Sequence, residues 1–254
     1  MQSMLRRWLA HPLTAGLDLD DPATTELRRQ IIRSKPFLKA IYDEWYSLLA
    51  AQLPNINGPV LELGSGAGYL PQFLDNVITS EVFFCSGVSL VANAQELPIA
   101  TDSLRAIAFT DVLHHIPNVR DFFCEAIRCL RPGGKILMIE PWVSRWSHFV
   151  YTHFHHELFS VDAKEWTFPS HGPLSGANGA LPWIVFQRDR RAFELEFPEL
   201  RIELIRPLMP FRYLLSGGVS MRTLMPPFTQ PFWRLADGVF KDQGMFALIS
   251  LVRK

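Results

Sequence analysis

The chain has 254 residues, of which 48% are hydrophobic, and its 25 basic residues balance its 25 acidic residues. This composition predicts a soluble globular protein of one elaborated domain, and the neutral charge gives no reason to expect nucleic acid as a partner. Three cysteines, Cys85, Cys124 and Cys129, are too few and odd in number for a disulfide scaffold, which favours a reducing cytoplasm.

Neither a secretory leader nor a membrane span is predicted. Arg6 and Arg7 precede a short apolar run that ends at His11-Pro12, so the apolar core of a leader does not develop. No stretch approaches the roughly 20 apolar residues that a membrane span needs. We therefore expect a cytoplasmic protein without a transmembrane segment.

Residues 1–57 are predicted to be largely helical after Asp21-Pro22, which suits a helix start. Apolar residues recur there at helical spacing, with an interruption at Pro36. Packing against the core is the expected role of this segment. In an alternative hypothesis it caps a ligand, and the side chains that would then reach inward are Arg28, Tyr42 and Tyr46.

Residues 60–70 have the sequence V-L-E-L-G-S-G-A-G-Y-L, which predicts a buried strand, a tight glycine turn and a helix whose first turn tolerates Pro71. Glycine lets a backbone approach a ligand where any Cβ would intrude. The spacing differs from the dinucleotide fingerprint G-x-G-x-x-G, because the third glycine comes one residue early, and no phosphate-loop Gly-Lys-Ser/Thr follows. A nucleotide-type turn of another kind is indicated.

Further strands and a helix are predicted after the turn. Val77–Glu81 suits a strand that ends in an acid, and a carboxylate at that point can accept both hydroxyl hydrogens of a ribose, although a solvated charge is the alternative. Residues 106–110 suit a short buried strand, residues 119–130 an amphipathic helix that stops at Pro132-Gly133, and residues 135–140 a second buried strand.

Four ordered segments carry a resemblance to a known family: the glycine run, L-V-A-N-A-Q-E-L-P at residues 90–98, V-L-H-H-I-P at 112–117 and L-R-P-G-G-K-I-L-M-I-E-P at 130–141. Together they resemble the class I S-adenosylmethionine-dependent methyltransferases, in the small-molecule branch similar to methyltransferase type 11. The resemblance covers residues 57–141 well and weakens afterwards.

The resemblance implies an α/β fold, a Rossmann-like doubly wound sheet of seven strands, mostly parallel with the last strand antiparallel. We expect this single domain to comprise an N-terminal helical cap (1–57), a cofactor-binding core (58–141), an aromatic lid insertion (142–199) and C-terminal strands (200–254) with a second insertion at 206–243. The sixth and seventh strands are placed at residues 200–205 and 245–252.

S-adenosylmethionine is the cofactor that the resemblance implies. The residues expected to hold it are Glu62, Gly64, Ser65, Gly66, Gly68, Glu81, Val82, Asn93, Ala94 and Asp111. Asn93 departs from the family pattern, which has aspartate there. Its side-chain oxygen can accept from an adenine amino group, but without the charge.

The two insertions are expected to determine the substrate specificity. The lid segment, residues 142–199, is unusually aromatic and follows the fifth strand, where it can cover the ligand edge of the sheet. Its run His153-x-His155-His156-Glu157 is interpreted as a polar rim, and no metal site is predicted. Arg212 and Arg222 are predicted to contact an anionic substrate, with pairing to acids from elsewhere as the alternative.

Methyl transfer to a small-molecule or lipid- or sugar-linked acceptor, at oxygen, is the predicted activity. His114, His115 and Glu140 are the candidate bases for the acceptor hydroxyl. The alternatives are that at least one of the histidines packs against the cofactor without exchanging a proton, and that Glu140 holds a backbone or lid group. A non-catalytic S-adenosylmethionine-binding regulator and a nicotinamide-dependent oxidoreductase are the alternative functions. Peripheral contact with a membrane surface is compatible with the arginine-rich segment.

Overall fold

The computed structural model describes residues 21–66, 70–155, 157–170, 172 and 176–254. Gly68 and His156, which the sequence analysis named, lie outside the described residues. The described strands are β1 (Val60–Glu62), β2 (Val77–Glu81), β3 (Leu90–Val91), β4 (Leu104–Thr110), β5 (Leu130–Pro141), β6 (Leu200–Leu208) and β7 (Phe246–Arg253).

These strands form one seven-stranded sheet in the order β3-β2-β1-β4-β5-β7-β6. β1 pairs in parallel with both β2 and β4, and all three of its residues are buried. β7 lies antiparallel between β5 and β6. The mostly parallel sheet with an antiparallel last strand confirms the predicted fold class, and the order reverses beside β1, where ligands of such sheets bind.

Helices surround the sheet: α1 (Pro22–Ser34), α2 (Pro36–Ala50), α3 (Val119–Cys129), α4 (Arg145–Phe154), α5 (Leu181–Trp183), α6 (Arg190–Glu196), α7 (Arg212–Ser216) and α8 (Gln230–Val239). Asp21 caps α1 by accepting a 2.8 Å hydrogen bond from the Ala23 amide, and Pro22 occupies the first turn. Pro36 begins α2, because its ring prevents α1 from continuing through it.

The helix predicted after the glycine turn is not formed by the residues that the structure describes there. A 3₁₀ turn at Leu70–Gln72 is followed by a bend and then directly by β2. Asn76, at φ 59°, makes the reversal into the strand. The short connection leaves too little chain for a helix and a return loop, so the prediction of a helix at Pro71 was wrong.

Aromatic residues of the lid segment contribute to the core as well as to the pocket. Phe123 on α3 has the rings of Phe186, Phe193 and Phe197 around it, with centroids 5.2 to 5.9 Å away. Such edge-on contacts stabilise a core beyond simple burial. Much of the aromatic content at residues 180–197 therefore anchors the lid segment to α3. Among the described helices, none has the length and apolar character required to cross a membrane.

Candidate cofactor and acceptor site

The carboxyl ends of β1, β2 and β4 open into a pocket of about 660 Å³. Residues of α1, α2 and α4 and the loop after α7 complete its lining. Parallel strands end at the same edge of a sheet, and ligands of open α/β sheets bind beyond that edge. The pocket is therefore where a ligand of this fold would bind.

The glycine turn forms one wall of the pocket. Gly64 and Gly66 both line it and have positive φ angles of 59° and 27°. A Cβ on Gly64 would lie 2.6 Å from Cγ2 of Val112, which no side chain can accept without movement. Glycine is therefore required at Gly64 by both backbone conformation and space.

Ser65 and Glu62 lie behind this wall and outside the pocket lining. The Ser65 hydroxyl donates to the Glu62 carbonyl at 3.2 Å and accepts from the Ser80 amide at 3.0 Å. These bonds join the turn to β2, so Ser65 supports the turn. The Glu62 carboxylate is almost fully buried, and among the described residues neither of its oxygens has a hydrogen-bond partner of good geometry.

Glu81, the last residue of β2, contacts the glycine turn. Its Oε1 accepts a 2.6 Å hydrogen bond from the Gly66 amide, and Val82 lines the same wall. Burial raises the Glu81 pKa, against the lowering effect of the Gly66 and Val82 amides and of Arg28. Arg29 braces the turn by donating from Nε to the Gly66 carbonyl at 3.0 Å. The structure thus brings this acid to the pocket.

Asn93, Ala94 and Asp111 complete the expected cofactor wall, and all three line the pocket. The Asn93 side-chain oxygen accepts a 3.0 Å hydrogen bond from the Gln95 amide, which fixes its orientation. Asp111 has a φ of 56°, in the left-handed region where Asp is tolerated better than most residues. Burial raises the pKa of Asp111 to about 7.

His114 is held by Glu140 at the opposite side of the site. Oε1 of Glu140 accepts from the Val112 and Leu113 amides at 2.7 and 2.8 Å, and His114 Nδ1 donates to Oε2 at 2.7 Å. Glu140 is fully buried and outside the pocket lining, whereas His114 lines the pocket. Glu140 therefore positions His114 rather than facing a substrate.

His115 and Glu157 stand beside His114. His115 Nδ1 donates to the Gly176 carbonyl at 3.2 Å, because a carbonyl can only accept. The Nε2 atom of His115 lies 3.9 Å from Oε1 of Glu157, and that of His114 lies 3.7 Å from Oε2. The three side chains form a cluster at the pocket wall, which we call the His–His–Glu cluster.

The charges of this cluster follow from its neighbours. Burial alone would lower the His114 pKa, but Glu140 and Glu157 outweigh it and raise the pKa to about 10. Burial lowers the pKa of His115 to about 3, helped by the positive charge of His114. Burial opposes ionisation of Glu157, but its hydrogen bond to His114 and the positive charges around it hold its pKa below the ordinary range. His114 is charged and His115 neutral near neutral pH.

Arg212 and Arg222 lie outside the pocket lining. The Arg212 guanidinium is buried, donating to Asp237 at 2.5 Å and to both carboxylate oxygens of Glu44 at 2.8 and 2.9 Å. Arg222 is exposed to solvent. The structure therefore joins Arg212 to acids from other elements, which was the alternative to a substrate contact.

The described residues of the lid histidine run do not all face the pocket. His153 is exposed and contacts the Phe149 carbonyl with Nδ1 at 2.8 Å, whereas His155 and Glu157 line the pocket. The position of Glu157 against the two histidines after β4 was not predicted. No local pattern could show it, because the contact joins residues more than forty positions apart.

Other pocket residues come from distant segments. Arg28, Tyr42 and Tyr46 line the pocket, as the capping hypothesis for the N-terminal helices placed them. Tyr151 of α4 and residues 217–221 after α7 line it as well, and they are not among the residues predicted for the site. Apolar and aromatic residues in a lid or insertion suit packing as well as a pocket, so no sequence signal distinguished them.

The charged side chains that line the pocket suit a cationic ligand. Three carboxylates, Glu81, Asp111 and Glu157, line a pocket whose lining has a single arginine, Arg28, among the described residues. Burial raises the pKa of Glu81 and Asp111, because it separates their charges from water. A ligand with ammonium and sulfonium charges would compensate them.

Residues 61–138 match the family model described as a methyltransferase domain. The ubiquinone/menaquinone biosynthesis C-methyltransferase UbiE of Rickettsia typhi is 24% identical over 122 residues, which cover 38% of this chain and 49% of that protein. Its counterpart in Brucella canis is 30% identical over 86 residues, 34% of this chain and 28% of that protein. The chain thus spans about half the length of these relatives, or less.

Solved structures share the whole fold. Geranyl diphosphate methyltransferase in complex with SAM has a TM-score of 0.52, with 95% of this chain and 94% of that chain covered at 14% identity. Geranyl diphosphate C-methyltransferase from Streptomyces coelicolor A3(2) has a TM-score of 0.51, with 85% and 81% covered at 14% identity. Residues 61–138 thus match a methyltransferase domain, and the chain shares its seven-stranded fold with these methyltransferase structures.

Proposed function

We propose that the protein transfers a methyl group from S-adenosylmethionine to a small, largely apolar acceptor. One observation carries this proposal: a single pocket joins the glycine turn, Glu81 and Asp111 to the His–His–Glu cluster. When bound, the cofactor supplies an electrophilic methyl group on a positively charged sulfur. The protein then has to hold that group in line with a nucleophile and keep water out.

The cofactor would be held along the wall formed by β1, β2 and the segment after β3. Gly64 and Gly66 let the backbone come close, and Glu81 stands at the strand end where its carboxylate can accept from ribose hydroxyls. Asn93 and Ala94 would contact the adenine. The carboxylate of Asp111 would lie near the positive charges of the ligand and favour its binding.

The acceptor would occupy the rest of the pocket, where Tyr151, Tyr213, Met245 and Phe246 give an apolar and aromatic lining. Phe154 is half exposed at this lining. An apolar wall with an exposed aromatic residue favours an acceptor with a hydrophobic part, which includes a lipid-linked one. This chemistry supports the lipid-linked class over a sugar.

His115 would receive a hydrogen bond from the acceptor. It is neutral near neutral pH, and its Nδ1 donates to Gly176, which leaves Nε2 as an acceptor. Because burial lowers its pKa to about 3, His115 suits an acceptor whose hydroxyl is already acidic, such as a phenol or an enol. The acceptor would pass its hydroxyl proton to Nε2 of His115 as its oxygen takes up the methyl group, and S-adenosylhomocysteine would leave. Oxygen is the atom predicted from the sequence.

Carbon is the second candidate for the accepting atom, because the relatives in Rickettsia typhi and Brucella canis are named C-methyltransferases. An ionised phenol or enol is nucleophilic at carbon as well as at oxygen, so both outcomes use the same hydrogen bond to His115. Mass spectrometry and carbon NMR of the product distinguish a methyl ether from a new carbon–carbon bond.

The experiment is transfer of labelled methyl from S-adenosylmethionine to the organic-soluble and aqueous fractions of a cell extract. We expect label in the organic fraction, and at least a tenfold loss of S-adenosylmethionine affinity in Glu81→Gln, since one charged hydrogen-bond acceptor is lost. Glu96→Gln, at an exposed acid outside the pocket, is the matched control.

Three outcomes would contradict the proposal. Binding of S-adenosylmethionine without transfer to any fraction would favour a regulatory protein. Tight binding of NAD in its place would favour an oxidoreductase. Equal affinity in Glu81→Gln and Glu96→Gln would remove the assigned cofactor wall.

A further inference from the structure

We infer that the His–His–Glu cluster is a binding site for one divalent transition-metal cation of the zinc type. One ligand atom each from His114, His115 and Glu157 lies within 4.8 Å of the others. Two imidazole nitrogens and one carboxylate oxygen are a ligand set that holds Zn²⁺ in proteins, with further positions left for water or substrate. The cluster is in the pocket wall, so those positions would face the pocket.

The hydrogen bonds behind the two histidines fix the ring nitrogens that metal binding needs. His114 Nδ1 donates to Glu140 at 2.7 Å, and His115 Nδ1 donates to the Gly176 carbonyl at 3.2 Å. Each Nδ1 is therefore engaged away from the cluster, and each Nε2 is turned towards Glu157. A cation would bind the neutral form of His114 and displace the proton from its Nε2. Metal-binding histidines almost always donate their other ring nitrogen to a carboxylate or carbonyl in this way.

The orientation of Glu140 is itself fixed by the backbone. Its other oxygen accepts from the Val112 and Leu113 amides at 2.7 and 2.8 Å. The carboxylate therefore cannot turn without breaking two hydrogen bonds in a fully buried place. The ring of His114 is thus oriented before any ligand arrives.

The separations within the cluster also suit a cation. Nε2 of His114 lies 3.7 Å from Oε2 of Glu157, and Nε2 of His115 lies 3.9 Å from Oε1. Metal–ligand distances of about 2.0 to 2.2 Å place neighbouring ligand atoms roughly 3 to 3.5 Å apart. The three ligand atoms lie within 4.8 Å of one another, so a closure of at most about 1 to 2 Å would complete the site.

The ligand types predict which cations bind. Imidazole nitrogen suits Zn²⁺, Co²⁺ and similar ions, whereas Mg²⁺ prefers an all-oxygen shell. This site would therefore take Zn²⁺ or Co²⁺ and discriminate against Mg²⁺. Bound there, the cation could hold an oxygen atom of an acceptor in the pocket.

This inference does not depend on the proposed methyl transfer, because cation binding can be measured without cofactor or acceptor. With a cation on Nε2 of His115, the acceptor oxygen would contact the cation in place of a direct hydrogen bond to His115. The full chain, stripped with a chelator, is titrated with Co²⁺ and followed by visible absorption, then with Zn²⁺ by calorimetry. We expect one equivalent to bind at micromolar concentration or tighter, and Mg²⁺ to bind at least a hundredfold more weakly.

Two variants locate the site. Glu157→Gln and His115→Ala should each weaken Zn²⁺ binding at least tenfold. His153→Ala removes an exposed histidine of the same lid segment that lies outside the cluster, and should leave binding unchanged. Equal loss in all three variants, or no loss in the first two, would overturn the assignment, as would the absence of saturable binding.

X-ray absorption of the wild-type zinc complex identifies the metal ligands without the use of a variant. The expected first shell has nitrogen and oxygen only, with the scattering pattern of two imidazoles. Sulfur ligands, or no imidazole contribution, would place the metal elsewhere and overturn the inference.

Discussion

Replacing Glu62 by Gln should make the free energy of unfolding less dependent on pH. Glu62 ends β1 behind the glycine turn, and its side chain is 1% exposed. Burial raises its pKa to about 7, although Tyr46, Ser65 and the Leu70 amide act in the opposite direction. A carboxylate in this place is ionised near neutral pH only at the expense of stability.

The size of this effect on the free energy of unfolding follows from the shift in the Glu62 pKa. A rise in the pKa from 4.5 to about 7 corresponds to about 3 kcal/mol, at roughly 1.4 kcal/mol for each pH unit. Between these two values the folded state binds more protons than the unfolded state, so the free energy of unfolding falls as the pH rises through that window. Above about pH 7 the loss is complete. Glutamine does not titrate, and its buried amide carries its own desolvation cost of about 1 to 2 kcal/mol.

Urea unfolding at a series of pH values measures the effect. We expect the free energy of unfolding of Glu62→Gln to depend less on pH between about 4.5 and 7, by up to 3 kcal/mol across the window, than that of the wild type. The exposed Glu96→Gln serves as control. The same slope in Glu62→Gln as in the wild type would refute this account of the buried charge.

Three further predictions concern the turn, the adenine contact and the buried arginine. Asn93→Asp should tighten S-adenosylmethionine binding about two- to fivefold by calorimetry, because a charged acceptor makes the stronger hydrogen bond; weaker or equal binding would contradict the contact. Gly64→Ala should lower cofactor affinity and melting temperature more than Gly133→Ala does, since both have positive φ but a Cβ on Gly133 meets nothing within 4 Å; equal losses would exclude the steric argument. Arg212→Met should lower the free energy of unfolding by about 3 kcal/mol, because Asp237 is left buried without its partner, and a loss under 1 kcal/mol would contradict a buried ion pair.

The sheet could be predicted from the sequence because its signals are local. Val77–Glu81 has the strand bounds that the apolar run and its terminal acid indicate, and Pro36 separates two helices where its ring must. The strand that follows Pro132-Gly133 was recognised from the same kind of apolar run, but β5 begins earlier, at Leu130, which pairs with Leu104 of β4 before a register shift.

The acceptor side of the site could not be predicted in the same way. His114 and His115 were named from their place after β4, but the roles of Glu140 and Glu157 depend on contacts across the fold. Arg212 likewise has no acid near it in sequence, and both of its partners come from other helices. Spacing along the chain carries no information about such pairs.

A crystal structure of the protein with S-adenosylhomocysteine would test the central claim most directly. The account predicts that the ribose hydroxyls lie within hydrogen-bond distance of Glu81, that the adenine lies beside Asn93, and that the sulfur faces the His–His–Glu cluster across the pocket. A ligand bound away from the Gly64 turn, or with its sulfur directed away from His114 and His115, would contradict it.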